Sequence, residues 1–262
     1  MRTYVYDPQD QTFPPLAERD ILWRYMDFTK FVAMLSSKGL YFARGDKLGD
    51  RFEGSLTASH IAKRKEIEQR ARKRRRPSKA HSLSPNMAKA RIERTIVNCW
   101  HMNEGESMAM WKLYLRTSEG IAIRSTFGRL TSALPQIKKT QKGRTARDGL
   151  IRIQIGKVRY VDFDNPELSG GAGIMLKRKS FEHEREIRAI AVDDAVELWP
   201  ENPSPFPAGG EVVKVNLNEL IERIFVAPEA AVWFKDLVDR VINAFGFAFP
   251  VIKSDLDKDP VF

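Results

Sequence analysis

The sequence predicts a globular α+β fold without a membrane span, and three observations support this. Segments with the apolar patterns of strands are interspersed with segments of helical period, without the strict βαβ repeat of doubly wound proteins. The 262 residues are 42% hydrophobic and 30% charged, as in ordinary globular proteins with a sizeable core. No apolar run reaches the roughly 18 residues that a bilayer-spanning helix needs. We therefore expect a single α+β domain over residues 21–262, preceded by a proline-interrupted arm over 1–20.

The first two expected strands flank a helix, and the same kinds of segment continue along the chain. Residues 21–25 (ILWRY) and 40–44 (LYFAR) have strand character, while Asp27 and Gly39 are expected to cap and end the helix between them. Asn103 is expected to cap a helix over 104–115, and Gly156 to allow a hairpin within 151–163. The other expected strands cover 95–102, 120–127, 180–192, 211–217, 224–228 and 247–254, and the other expected helices cover 218–223 and 229–245.

The formal net charge of +10 indicates a polyanionic partner, most often nucleic acid. Much of the excess lies in a basic helical segment over 63–79, which contains only two glutamates and is ended by Pro77. We expect a basic helical insertion at about 57–94 that contacts phosphates; a solvated, partly disordered segment is the alternative. The expected nucleic-acid contacts are Lys63, Arg64, Arg70, Arg72, Lys73, Arg74, Arg75 and Arg76.

Several classes of chemistry are excluded by what the sequence lacks. The single cysteine, Cys99, excludes an internal disulfide and a multi-cysteine zinc site, and its apolar surroundings favour a small buried side chain over a nucleophile. The first residues lack the apolar core of a signal peptide, so we expect a cytoplasmic protein without a membrane partner. Neither a dinucleotide-binding nor a P-loop motif occurs, and the four histidines have no metal-ligand spacing. Any chemistry must use carboxylates, arginines and aromatic residues.

The stretch SFEHEREIRAI (180–190) is the main candidate for such chemistry. If it is extended, Glu182, Glu184, Glu186 and Arg188 share one face, at a spacing of about 7 Å. Neighbouring carboxylates at that spacing repel by about 2 kcal/mol, which separates their pKa values and suits acid–base work or stabilisation of a cation. The alternative is a helix start with an ordinary Glu184–Arg188 surface pair. The apolar, partly β-branched residues that follow favour the strand.

Other polar and aromatic residues leave two interpretations each. Arg24 lies between apolar strand residues, so it either reaches a structural carboxylate or lines a pocket and binds an anion. Trp100 and Trp111 are more typical of a core than of a ligand platform. The acidic residues Asp46, Asp50 and Glu53 are more typical of turn chemistry in a glycine-rich loop than of a polar rim.

Taken together, these motifs resemble a large bacterial family that carries a domain of unknown function and is often encoded near phage-defence genes. The resemblance rests on LWRY, GDRFE, NCWHMNEGESMAMWKLY…EGIAI, FEHEREIR and the tail LNELIERIFVAP…FGFAFPVIKSDL. It covers residues 21–256, with the basic segment as an insertion, while Gly49 and Arg51 stand where the family pattern has Asn and Pro.

The order of these motifs also resembles the ADP-ribosyltransferase fold, especially the DarT-like toxins that modify nucleic acid. That resemblance implies a mixed, mainly antiparallel split sheet and NAD as cofactor. Arg24 would contact the phosphates or ribose of NAD, with Tyr25 beside it, and Ser125 or Tyr114 would border the nicotinamide pocket. Trp111 would be a further aromatic residue at the cofactor. Glu186, or else Glu184, would be the catalytic carboxylate.

The expected function is therefore that of an NAD-dependent ADP-ribosyltransferase, acting as a toxin or phage-defence effector on RNA or DNA, with an antitoxin as a further partner. A glutamate can stabilise the positive charge that develops on the ribose when the nicotinamide bond breaks. One alternative is a metal-dependent nuclease with Glu184, Glu186 and Asp50 as Mg²⁺ ligands. The other is a non-enzymatic basic module that binds nucleic acid and uses its carboxylates only in structural ion pairs.

Overall fold

The computed structural model describes residues 2–10, 12–74, 84–115, 117–165, 173–193, 204–256, 258 and 260. The strands are β1 (Thr3–Tyr6), β2 (Ile21–Asp27), β3 (Gly39–Arg44), β4 (Thr95–Met102), β5 (Gly120–Thr126), β6 (Leu150–Lys157), β7 (Arg159–Val161), β8 (Leu176–Arg178), β9 (Glu186–Val192), β10 (Gly210–Lys214), β11 (Arg223–Val226) and β12 (Val251–Lys253). The α-helices are α1 (Phe28–Ser37), α2 (Ala58–Lys73), α3 (Pro85–Glu93), α4 (Met108–Tyr114), α5 (Phe127–Ala133), α6 (Leu217–Leu220) and α7 (Val232–Ala244).

Ten of these strands form one mixed sheet, mainly antiparallel, in the order β1-β6-β9-β4-β2-β5-β11-β12, with β3 pairing both β4 and β10. The sheet forks along β4. The first half of β4 pairs with β3, where Val97 is opposite Ala43, and its end pairs with β2, where His101 is opposite Trp23. Residues 98–100 pair with neither strand, so a gap opens between β2 and β3. The mixed α/β class and the mixed sheet are confirmed.

The side chains of β4 and β9 divide between two faces, as strand alternation requires. Ile96, Trp100 and Ile187 point into the main core, to which α1, α5 and α7 contribute buried residues such as Leu35, Leu130 and Val238. Val97 and Ile190 point to the other face, where Ile174 and Met175 cover them. On this second face Cys99 is opposite Arg188 and His101 is opposite Glu186. The face is therefore apolar at Val97 and Ile190 and carries polar side chains further along the two strands.

The expectations for the N-terminal arm and for residues 151–163 are wrong. The arm expected over 1–20 contains β1, which pairs in parallel with β6 and buries Val5 at the edge of the sheet. The hairpin expected at Gly156 does not form, because β6 continues through that residue to Lys157. The chain then passes to β7, which pairs with β8 in a separate two-stranded sheet.

The caps of two helices also differ from the expectation. The side chain of Ser107, not that of Asn103, accepts the backbone N–H at the start of α4. Lys38 ends α1 in the left-handed conformation with φ 47°, and Gly39 already belongs to β3. Glycine is needed at 39 for a different reason: a Cβ there would lie 2.6 Å from the carbonyl oxygen of Val213 on β10. The Asp27 cap of α1 is confirmed.

The basic insertion forms two helices, α2 and α3, as far as its residues are described. No residue of α2 is buried, whereas α3 buries Met87, Ala88 and Ala90. Pro77 lies outside the described residues, and α2 ends before it, at Lys73. None of the helices in the described part of the chain combines the length and apolar character needed to cross a membrane.

Candidate active site

A cavity of about 660 Å³ lies in the fork between β2 and β3, above the unpaired middle of β4. Elements that are far apart in sequence meet at this cavity. Its polar and aromatic lining includes Arg24 and Tyr25 from β2, Tyr41 from β3, Cys99, Trp100 and His101 from β4, Tyr114 from α4, Glu186 at the start of β9 and Glu184 just before it, together with Trp23, Lys30, Ser37 and Lys47. The fork therefore brings Arg24 to the same cavity as the two glutamates.

Arg24 has no carboxylate partner among the described residues. Its Nη2 lies 3.4 Å from the carbonyl oxygen of Tyr41, and its Cζ lies 5.8 Å from the centroid of the Trp100 ring. Its Nη1 is buried and makes no hydrogen bond. Burial lowers the pKa of Arg24, yet an arginine keeps its charge at neutral pH. Of the two interpretations open for Arg24, the structural carboxylate is wrong, and an unpaired guanidinium facing a cavity is suited to an anion.

Glu186 belongs to a buried network of three carboxylates and two cations. Arg188 donates to both of its oxygens, through Nε at 2.9 Å to Oε1 and through Nη2 at 2.9 Å to Oε2. Lys177 bridges Glu186 at 3.2 Å and Glu184 at 2.7 Å. Glu53 binds Arg188 at 2.6 Å and Lys177 at 3.5 Å. With all five groups charged, the network keeps one net negative charge beside the cavity.

The cations of this network determine the protonation of Glu186. Burial opposes its ionisation, but the charge and hydrogen bonds of Arg188, with the charge of Lys177, outweigh burial and hold the pKa of Glu186 below its ordinary value. Burial likewise opposes the charge of Lys177, and the surrounding glutamates raise its pKa instead. Repulsion between neighbouring carboxylates was expected to separate their pKa values; Glu186 is instead an ionised carboxylate held by cations.

The local geometry of this stretch differs from both interpretations of the sequence. Residues 179–184 form a 3₁₀ turn, Arg185 is left-handed with φ 40°, and the strand begins only at Glu186. Glu182 is exposed on that turn and does not join the network. The expected one-faced row from Glu182 to Arg188 is wrong, and so is the Glu184–Arg188 surface pair. Glu184 and Glu186 still meet, because Lys177 of β8 lies between them.

His101 is a site residue that the sequence did not indicate. Its Nδ1 lies 2.6 Å from the carbonyl oxygen of Glu184, so Nδ1 carries the proton and donates it. Its Nε2 is buried and has no hydrogen-bond partner among the residues that the structure describes. Burial lowers the pKa of His101, and the charges of Arg185 and His183 lower it further, against the hydrogen bond to Glu184. A neutral imidazole with a free acceptor nitrogen therefore faces the cavity.

The lowered pKa of His101 predicts a specific pH dependence of stability. The unfolded chain takes up a proton near the ordinary histidine pKa, whereas folded His101 resists it, so its contribution is lost as the pH falls below about 6.5. His60, whose pKa is also lowered, contributes in the same direction. We expect the free energy of unfolding, measured in urea at pH 7.5, 6.5 and 5.5, to fall less steeply in His101→Asn than in the wild type. Identical slopes would show that His101 titrates normally.

The other expected cofactor residues are divided between the cavity and the core. Tyr25 lines the cavity, and its hydroxyl accepts the N–H of Ser107 at 2.9 Å. Tyr114 lines the rim and is 42% exposed. Trp111 does not line the cavity: it is buried, contacts Tyr25 edge-on, and donates to Glu106. Ser125 does not reach the cavity either.

Ser125 stays outside the cavity because of its backbone position, and Cys99 is a poor nucleophile because of its burial. Ser125 lies on β5 and donates its hydroxyl to the carbonyl oxygen of Leu220 at 2.6 Å. Cys99 does line the cavity, but burial and the negative charge of Glu186 raise its pKa well above the ordinary value. A protonated thiol is a poor nucleophile. The expectation that Cys99 is not a nucleophile is consistent with this environment.

The acidic residues of the loop over 46–53 have two roles. The sequence indicated only the first, which is turn chemistry. Asp46 pairs with Arg44, and Asp50 accepts the N–H of Phe52 while it binds Arg178 through both oxygens, as turn chemistry predicts. Glu53 instead enters the buried network. Among the residues that the structure describes, no cluster of three or more His, Cys, Asp or Glu is arranged to hold a metal ion.

The basic residues expected to contact nucleic acid are partly paired. Arg64 binds Glu68 at 2.9 Å and Arg70 binds Glu66 at 2.5 Å, both one helical turn away on α2. Lys63, Arg72, Lys73 and Arg74 belong to the same unburied helix and its end. Arg75 and Arg76 lie outside the described residues. The segment thus presents several cations on a helix that buries none of its residues.

Comparison with protein-family models, with curated proteins and with solved structures finds no match to this chain. The two resemblances noted in the sequence therefore stay predictions, and the functional argument depends on the cavity itself.

Proposed function

We propose that this protein is an NAD-dependent ADP-ribosyltransferase with an ADP-ribosyltransferase-like arrangement of its split sheet. The observation that carries the proposal is that one cavity holds two groups of opposite charge: Arg24, a half-buried cation with no carboxylate partner among the described residues, and Glu186, a buried carboxylate kept ionised. NAD has a pyrophosphate for the first and a ribose that becomes positively charged for the second. Arg24 would bind the pyrophosphate, and Tyr25, Trp100 and Tyr114 offer ring faces and edges to the bases.

Glu186 is suited to stabilising charge and not to donating a proton, because its pKa is lowered. Its Oε2 already accepts from both Arg188 and Lys177, whereas its Oε1 accepts from Arg188 Nε and keeps a second lone pair for a ribose hydroxyl. As the bond between the ribose carbon and the nicotinamide nitrogen breaks, its electron pair leaves with nicotinamide, and the carboxylate offsets the positive charge left on the ribose.

His101 accepts the proton that the attacking nucleophile loses. The nucleophile that attacks the ribose carbon must lose a proton, and the free Nε2 of His101 is the unpartnered acceptor nitrogen at this cavity. A neutral imidazole with a lowered pKa takes up such a proton transiently. Glu184 binds Lys177 at 2.7 Å through its carboxylate and His101 through its backbone carbonyl. It therefore positions the ammonium group of Lys177 and the imidazole of His101.

The acceptor in this proposal is RNA or DNA, because the formal charge is +10 and α2 carries a dense set of cations with no buried residue. Modification of cytoplasmic nucleic acid fits a toxin or phage-defence effector, with an antitoxin protein as a partner. The nuclease alternative has less support, since Lys177 and Arg188 already bind Glu184 and Glu186, and Arg178 binds Asp50.

Incubation of the protein with NAD labelled on its adenylate part, together with RNA, DNA and a protein acceptor, tests the proposal. We expect label on nucleic acid, equal with and without EDTA, and release of nicotinamide. Strand cleavage without NAD that EDTA stops would identify a nuclease. Nucleic-acid binding without any change in NAD would indicate the non-enzymatic alternative.

A further inference from the structure

A second cavity, of about 910 Å³, lies between the basic insertion and the sheet. Its walls come from the residues just before and within the first turn of α2, from α3, from residues 173–176 and from the ends of β4, β6 and β9. It shares no lining residue with the cavity in the fork. The chemistry proposed above makes no use of it.

The charge of this second cavity is one-sided. Four basic residues line it, each from a different element: His60 of α2, Arg91 of α3, Lys157 of β6 and Arg159 of β7. None of its described lining residues is an aspartate or a glutamate. Burial, with the charges of Lys63 and Arg91, lowers the pKa of His60, so its imidazole is neutral at pH 7 and the positive charge of the cavity comes from its arginines and its lysine. An anion can pair with these cations.

The interior of the cavity is apolar. Ile174, Met175 and Ile190 form a buried cluster beneath it, and the half-buried ring of Phe13 packs on that cluster from the N-terminal segment. A ligand that fits must therefore combine a flat or apolar part with negative charge at its edge. A nucleotide has both parts, since its base can stack on an aromatic ring while its phosphate meets arginine and lysine.

The position of the cavity favours a nucleotide within a strand. Thr95 and Ile190 line it, whereas His101 and Glu186 line the cavity in the fork, and all four belong to the same face of β4 and β9. Thr95 and His101 are six positions apart on β4, which is about 20 Å. The basic helix α2 begins at the second cavity, with His60 in its first turn, and extends the positive surface beyond it.

We propose that this second cavity binds one unpaired nucleotide of a nucleic-acid strand, with the base against Phe13 and the flanking phosphates at Arg91 and Lys157. A base that is stacked and paired within a duplex cannot turn its face onto the ring of Phe13, so the site selects single-stranded or unpaired positions. Its role as an anchor for the acceptor rests on the proposed function, but the binding itself does not require NAD.

Fluorescence anisotropy of a dye-labelled single-stranded 12-mer, in RNA and DNA form and without NAD, tests this site. Arg91 and Lys157 are exposed, so Arg91→Glu and Lys157→Glu should fold normally, and we expect each to weaken binding at least tenfold. Arg240→Glu, at an exposed position of α7, makes the same charge change away from the cavity and should have little effect. Phe13→Ala leaves the charge unchanged and should weaken binding by about five- to a hundredfold through lost stacking.

Three results would overturn the proposal. Equal losses in Arg240→Glu and Arg91→Glu would show that only the net charge matters. Equal affinity for a fully paired duplex would contradict selection of an unpaired nucleotide. Displacement of the 12-mer by inorganic phosphate, or by a mononucleotide at the concentration of the 12-mer, would show that no strand is needed. If the protein does not react with NAD but binds the 12-mer as expected here, the proposed function is wrong and the nucleotide site is kept.

Discussion

Replacement of Glu186 by glutamine is expected to reduce label transfer from NAD by about 10²–10³-fold, the range found when one electrostatic contact to a transition state is lost. Glutamine keeps the size of the side chain and an oxygen that accepts from Arg188, but it removes the negative charge beside the ribose. The affinity for NAD should change little, because Arg24 is untouched. Nicotinamide release under single-turnover conditions measures the effect directly.

Glu182→Gln is the matched control for that variant. Glu182 lies four residues earlier on the 3₁₀ turn, is exposed, and takes no part in the network. It should transfer label at the wild-type rate. Circular dichroism of both variants checks that the fold is kept. Full activity in a folded Glu186→Gln protein would contradict the catalytic assignment of Glu186.

The largest effect on stability is expected at Arg188. This side chain is 1% exposed and binds Glu53 and Glu186 on the second face of the sheet. Arg188→Met leaves the three buried carboxylates of the network with only Lys177 as a cationic partner, and removal of one partner from a buried charge cluster costs about 3–5 kcal/mol. Urea unfolding measures the loss.

Arg185→Met provides the comparison for Arg188→Met. Arg185 is exposed, and its guanidinium binds Asn103 at 3.0 Å, so its loss should cost less than about 1 kcal/mol. The double variant Arg188→Met with Glu53→Gln should recover part of the stability, because one of the two uncompensated charges is removed. Equal unfolding free energies for Arg188→Met and Arg185→Met would show that the network does not stabilise the fold.

Local patterns predicted most of the elements. The strand over 95–102 has the predicted bounds, β2 extends the predicted 21–25 by two residues, and Asp27 caps α1 as expected. These elements are defined by apolar period and capping chemistry, which are properties of neighbouring residues. The edge strand β1 was missed because four residues after the N-terminus carry too short a pattern to distinguish from an arm.

The site was predicted less completely, since its parts are joined by the fork and not by sequence spacing. The residues alone left two interpretations for Arg24 and did not single out Glu186 among the carboxylates of its stretch; the resemblance to ADP-ribosyltransferases selected both. Glu53 and His101 were not identified, because each depends on a partner more than 80 residues away, Arg188 for the first and Glu184 for the second. Ser125 lies on the expected strand, but its hydroxyl points to Leu220.

Calorimetric titration of the protein with NAD tests the central claim most directly, because binding in the fork precedes any chemistry. We expect saturable binding with one site in the wild type and in Arg185→Met. In Arg24→Met the affinity should fall by about ten- to a hundredfold, as expected for the loss of charged hydrogen bonds to a phosphate. No heat of binding with NAD in the wild type, or equal affinity in Arg24→Met, would contradict the assignment of this cavity.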